Sequence, residues 1–208
     1  MKKIPLISFL AIIVTATVAL SCSNTAPAKE ETAVKTDAAT ATVAAAVTNP
    51  NFTIAPIEYA VLSEKALTHL SKFEFDAWAE MLADNVVYSF PDGDVDTRTK
   101  LEGKAAVVGW WKKWKEKSGI ESMTMSEFNH IPINVIAQPK GGALMGNVVT
   151  SYFSNKMIMS GKPVALRMNF SVHFNADKKI DRYTTYYDRS VIIKASGKNM
   201  LEELKSKK

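Results

Sequence analysis

The sequence predicts an α+β fold: a cone-shaped, curved antiparallel sheet of four long strands plus one short strand, covered by three N-terminal helices. Three observations predict it. Apolar residues recur mainly at helical spacing from Ile57 to Gly119, then alternate from Ile120 onward. The alternating segments are separated only by "PKGG", "SGKP" and "NADK", links so short and turn-rich that consecutive strands should pair antiparallel. Helices first and a strand meander second is the order of an α+β domain. A chain of 208 residues, 47% hydrophobic, is enough for one such domain and thin for two.

The chain opens "MKKIPLISFLAIIVTATVALSC". Two lysines, an apolar run from Ile4 to Leu20 and a small residue form the layout of a secretory signal, residues 1–21. The apolar run is near the lower limit for a membrane-spanning helix, so an uncleaved anchor is the alternative. Cys22 is the single cysteine and can form no internal disulfide. "ALSC" resembles a bacterial lipobox, although Ala19 stands where leucine is usual. That resemblance implies lipidation of Cys22 and a lipid-anchored place in a bacterial cell envelope, periplasmic or on the outer-membrane face. Buried acyl methylenes would hold the protein to the bilayer at ~0.8 kcal/mol each.

Residues 22–50 are Ala/Thr-rich and lack aromatics. Nothing there offsets the entropy of ordering, so the segment reads as a flexible tether. The folded domain is expected over 51–195. Ile57, Ala60, Val61, Leu67 and Leu70 define a first helix, and Phe75, Trp78, Met81 and Leu82 a second. "NVVYSF" is a short strand ended by the turn signal "PDGD". Val107, Trp110, Trp111 and Trp114 mark one face of a third helix, and Gly119 fits its stop. The reading is a helix packed on a sheet, with one tryptophan able to reach a cavity. Pro132 interrupts the first long strand, where a bend or bulge is expected. Residues 196–208 form a lysine-rich tail.

Charge excludes some classes. The net charge is +5, and Lys2 and Lys3 of the leader supply two of those positives. Lysines and arginines are interspersed with acidic residues, and the run Lys112, Lys113, Lys115, Lys117 reads as a solvated helix face. No nucleic-acid partner is predicted. There is no GxSxG, P-loop or glycine-rich dinucleotide turn, and no cofactor is predicted. His69, His130 and His173 sit on separate elements without ligand spacing, so no metal site is predicted.

"FEFDAWAEMLADNVVYSFPDG", "LEGKAAVVGWW" and "FNADKKI…YYDRS", in that order, resemble the SnoaL-like branch of the nuclear-transport-factor-2-like superfamily over residues 58–195. The resemblance implies the cone fold and, often, a homodimer through its convex sheet. It spans polyketide cyclases, ketosteroid isomerases, dehydratases and non-catalytic binding domains, so fold does not fix function. Lys178 stands where many relatives have glycine, and should be driven to positive φ.

In the last strand Ile180, Arg182, Thr184, Tyr186 and Asp188 alternate on one face. The resemblance turns this face inward, which makes Asp188 a general acid/base candidate with a raised pKa, assisted by Tyr186 or His130. The alternative is a strand-end cap or an arginine partner. On the preceding strand either Leu166, Met168, Phe170, Val172 and Phe174 or the polar set Arg167, Asn169, Ser171 and His173 faces inward; "FNADKK" resembles the bulged turn of the family, and that resemblance favours the apolar set. Tyr88, Trp110, Trp114, Tyr152, Met168, Phe170 and Thr184 complete the expected pocket. The expected activity is binding of a small, largely apolar molecule. The alternatives are an isomerase or cyclase-type lyase using Asp188, and a protein-interaction module with a filled cone.

Overall fold

The computed structural model describes residues 50–92, 98–137 and 144–202. The leader, Cys22 and the tether through residue 49 lie outside the described residues. The elements are β1 (Phe52–Ile54), α1 (Glu58–Ser71), α2 (Phe75–Ala79), β2 (Leu82–Ser89), β3 (Lys100–Glu102), α3 (Lys104–Lys117), β4 (Ile120–Val135), β5 (Gly146–Met159), β6 (Lys162–Phe174), β7 (Ile180–Tyr186) and α4 (Arg189–Ser196). One sheet runs β1-β4-β5-β6-β7-β2-β3. Its pairs are antiparallel except β2 with β7, which is parallel.

The fold class is the predicted α+β with a curved, mainly antiparallel sheet. The strand inventory differs. Only β4, β5 and β6 are long, with 16, 14 and 13 residues, while β7 has 7. The three-residue strands β1 and β3 extend the two edges, and three residues carry no readable alternation. A fourth helix, α4, follows the meander. Met200 and Leu201 beyond it are buried in the core, Leu201 completely. The folded unit therefore extends past residue 195 into the segment expected to be a tail.

Helix α1 buries Tyr59, Ala60, Ser63, Ala66, Leu67 and Leu70. Ile57 and Val61, expected on that face, are 74% and 63% exposed. The helix begins only at Glu58, and the small Ser63 and Ala66 form the surface that lies against β4 and β5. Helix α2 is shorter than expected, because Leu82 already belongs to β2. Helix α3 buries Val107, Trp111 and Trp114. It stops at Gly119, whose φ of +78° suits a residue without Cβ.

The turns set the register. Ser160 and Gly161, at φ +48° and +72°, make a two-residue hairpin between β5 and β6, and two successive positive φ values match its twist. Lys178 takes φ +56°, as its replacement of glycine predicted. Asn175 Oδ1 compensates by accepting from Asp177 N at 3.0 Å and Lys179 N at 2.9 Å. In β4 the bulge is not at Pro132, which pairs in register with Val149. The register shifts instead between Ile120 and Ser122 and between Ser126 and Asn129, with Glu127 at φ +56°. Pro132 is tolerated because its carbonyl, not its nitrogen, makes the link to the β1 segment, accepting from Ala55 N at 3.1 Å.

A bulge in β7 decides the site. Phe174 pairs with Ile180, but His173 pairs with Arg182, so Asp181 is an extra residue. Ile180 is buried, and beyond the bulge it is Tyr183 and Thr185 that are buried. The expected inward face of β7 is therefore reversed after Ile180. On β6 the apolar set is inside, as the bulged turn favoured: Met168, Phe170, Val172 and Phe174 are all buried.

Candidate functional site

Helix α3, the inner face of β4–β6 and the segment from Tyr187 to Met200 enclose a cavity. Trp110, Trp111 and Trp114 form one wall. Met123, Met125, Asn155, Met157, Met168 and Phe170 form the sheet wall, and Tyr187, Arg189, Ile192 and Met200 close the third side. The concavity measures about 520 Å³ including its open mouth, but only about 30 Å³ of it admits the centre of a water-sized molecule. The inner part is thus narrow. Its walls are five methionines, whose unbranched, polarisable side chains repack readily.

The tryptophan wall is rigid by comparison. Trp110 and Trp111 meet edge-on at 5.1 Å between centroids, and Trp111 and Trp114 at 5.2 Å. Trp111 also contacts Tyr88 at 5.8 Å and Trp78 at 6.3 Å. Each such pair contributes roughly 0.5–1.5 kcal/mol beyond its burial. Burial pushes the Tyr88 phenol well above its ordinary pKa, reinforced by neighbouring Tyr187 and Tyr183. Burial does the same to Tyr183 and Tyr187, so all three stay neutral.

Two polar side chains of the wall are incompletely bonded. Asn155 is 1% exposed. Its Nδ2 donates to Met123 Sδ at 3.4 Å and Met168 Sδ at 3.6 Å, while Oδ1 has no partner among the described residues. Trp111 is 6% exposed and its Nε1–H likewise lacks a partner among them. At the mouth, Arg189 pairs with Asp92 and donates to Asn199 Oδ1 at 2.9 Å, tying the start of α4 to the loop after β2.

Several expected site residues lie elsewhere. Asp188 is exposed and caps α4, its carboxylate accepting from Ser190 N at 2.8 Å. That bond holds its pKa below the usual aspartate value, opposite to the expected rise. The inward orientation is thereby corrected: β7 ends at Tyr186 and the chain turns into α4 at this residue. Tyr186 is 52% exposed on the outer face, where Arg98 lies 4.7 Å over its ring and donates to its hydroxyl at 3.3 Å. Tyr152 and Thr184 also point away from the cavity: Tyr152 is 43% exposed, and Thr184 alternates with the buried Tyr183 and Thr185. Tyr88 is completely buried and packs behind Trp111 rather than lining the cavity. Trp110, Trp114, Met168 and Phe170 do line it.

His130 faces α1, not Tyr152. Its Nδ1 lies 2.8 Å from Ser151 Oγ and its Nε2 3.2 Å from Glu64 Oε2. Ser151 Oγ in turn lies 3.1 Å from Ser63 Oγ. With a neutral ring the carboxylate can only accept, so Nε2 carries the proton and Ser151 donates to Nδ1. The order Glu–His–Ser has the form of a hydrolase triad. Ser63 and Ser151 are, however, completely buried, so no substrate carbonyl can reach Ser151. The chain of bonds joins α1 to the sheet instead.

Sequence reasoning missed Asn155, Trp111 and the methionines of β4 and β5. Met157, Asn155 and Phe153 alternate with exposed or half-exposed residues in "YFSNKMI", and this was the available signal for an inward Asn155.

A family model described as a SnoaL-like domain matches residues 63–183. No curated protein gives a significant match. Among solved structures, a protein described as a candidate isomerase from Bacillus subtilis is 19% identical with a TM-score of 0.51, the match covering 67% of this chain and 93% of that one. A candidate polyketide cyclase from Pseudomonas putida is 13% identical with a TM-score of 0.51, over 66% and 96%. Another, from Xanthomonas campestris pathovar campestris, is 15% identical with a TM-score of 0.50, over 66% and 96%. At these identities the likeness concerns the fold. The family match spans more than half of the residues and takes in the α1–β7 framework of the cavity, and the chain belongs to the SnoaL-like family.

Proposed function

We propose that this protein is a lipid-anchored envelope protein whose SnoaL-like domain binds a small, largely apolar molecule between α3 and the inner face of the sheet. One observation carries the binding reading: the cavity wall is mainly tryptophan, methionine and phenylalanine, with Arg189 and Lys198 as its charged residues and no carboxylate or histidine among the described lining residues. Pockets of this make-up take up apolar bodies and orient them with a few polar groups. An isomerase or cyclase-type lyase is the weaker reading, because it needs a proton-transfer group inside and Asp188 caps α4 outside.

Native mass spectrometry of the domain isolated from its own host tests the binding. The expected result is a non-covalent small-molecule adduct, lost when Met168→Trp fills the cavity. An adduct retained in that variant, or none in the parent protein, overturns the reading. The anchoring rests on the "ALSC" signal at Cys22. Cys22→Ser should move the protein from the membrane to the soluble fraction; unchanged fractionation rejects lipidation. A homodimer through the outer sheet face is supported by exposed Tyr152 and Ile131, and Tyr152→Glu should then yield monomers by light scattering.

A further inference from the structure

We infer that the ligand of this cavity is a largely apolar molecule bearing a hydroxyl group, received between the indole N–H of Trp111 and the side-chain carbonyl of Asn155. This rests on the binding reading above and specifies its chemistry. The two residues line one cavity, Trp111 from α3 and Asn155 from β5. Both side chains are more than nine-tenths buried, and neither atom has a hydrogen-bond partner among the described residues. Leaving a buried polar group unbonded is costly, so such groups in a cavity wall mark where a guest supplies the partner.

The orientation of the Asn155 amide decides which partner. Its nitrogen lies within 3.6 Å of both Met123 Sδ and Met168 Sδ. Thioether sulfur is a weak acceptor and never a donor. The N–H groups therefore belong on the sulfurs, and Oδ1 is left as an acceptor. Trp111 Nε1 can only donate. A hydroxyl is the smallest neutral group that both donates and accepts. A hydroxyl-sized group has room in the cavity, where about 30 Å³ is open to the centre of a group the size of water.

A cationic ligand group is disfavoured on the same grounds. No carboxylate lines the described wall, whereas Arg189, engaged by Asp92 and Asn199, and Lys198, which donates to Lys117 O at 3.2 Å, are both cations. A cationic ligand group would enter this interior without a counter-charge. The methionines of β4–β6 supply the adaptability for the apolar body, and the two polar atoms supply the selection.

The test compares naphthol, methoxynaphthalene and naphthalene by calorimetric titration of the intact domain. They share one apolar body and offer donor plus acceptor, acceptor alone, and neither. Naphthol should bind about tenfold more tightly than naphthalene, with methoxynaphthalene between them. In Asn155→Leu and, separately, Trp111→Phe the advantage of naphthol over naphthalene, compared within each variant, should shrink to about threefold or less. Asn155→Leu removes an unbonded buried carbonyl at similar volume, and Trp111→Phe provides the second variant should either fail to fold. Equal affinity for the three compounds overturns the hydroxyl assignment and leaves the apolar pocket standing. Binding of none of them overturns the pocket reading, and this inference with it.

Discussion

Asp188 shows how one residue's role turns on where its strand ends. Its carboxylate accepts from Ser190 N at the head of α4, and no cavity surrounds it. Asp188→Ala should lower the thermal midpoint, whereas Asp188→Asn, a comparable cap, should keep most of it; differential scanning calorimetry checks both. Neither should change ligand binding. The folded pKa is depressed relative to the unfolded chain, so the stabilisation is present above about pH 4 and fades as pH falls through the folded value. The buried phenols behave oppositely at high pH. Tyr88, Tyr183 and Tyr187 hold their protons in the fold, while an unfolded tyrosine loses its proton near pH 10. Above that pH the folded state binds more protons, and stability falls as pH rises. Spectrophotometric titration should show these three of the six tyrosines ionising together with unfolding.

Elements are placed by their ends more than by their middles. Gly119 ends α3 at φ +78°, and a Cβ there would lie 2.4 Å from Ser160 Oγ. Its carbonyl accepts from Ser160 N at 2.8 Å, binding the helix end to the β5–β6 turn. Gly119→Ala should therefore cost roughly 1–2 kcal/mol in urea unfolding with an unchanged slope. The bulge at Asp181 acts at the same scale. One additional residue carries Tyr183 and Thr185 inside and leaves Thr184 and Tyr186 outside. It also leaves Asp181 beside His173 Nδ1, whose other nitrogen lies 2.8 Å from Met145 O. The polar pair belongs to the outer layer, and the apolar face of β6 is free to line the cavity.

At the scale of the whole molecule, the segment after β7 completes the domain. Ile192, Met200 and Leu201 join the core made by the sheet and α3, and Arg189 closes the mouth of the cavity against Asp92. Leu201→Ala should cost about 2–5 kcal/mol, measured by chemical denaturation, because Leu201 is completely buried. A tail that merely followed the domain would show almost no effect.

The α+β class, the three N-terminal helices, the apolar inner face of β6 and the strain at Lys178 were legible in the chain itself. The first two follow from periodicity, which neighbouring residues dictate; the last two rest on the resemblance of "FNADKK" to the bulged turn of the family, in which glycine is common at the place of Lys178. The inner face of β7 was not, because a single bulged residue reverses alternation and its position depends on how two strands register. Nor was the company of Asn155, Met123, Met168 and Trp111, which stand on four different elements. Only packing those elements together brings an unbonded carbonyl and an unbonded indole N–H to one cavity, since such proximity is a property of long-range contacts that no local pattern encodes.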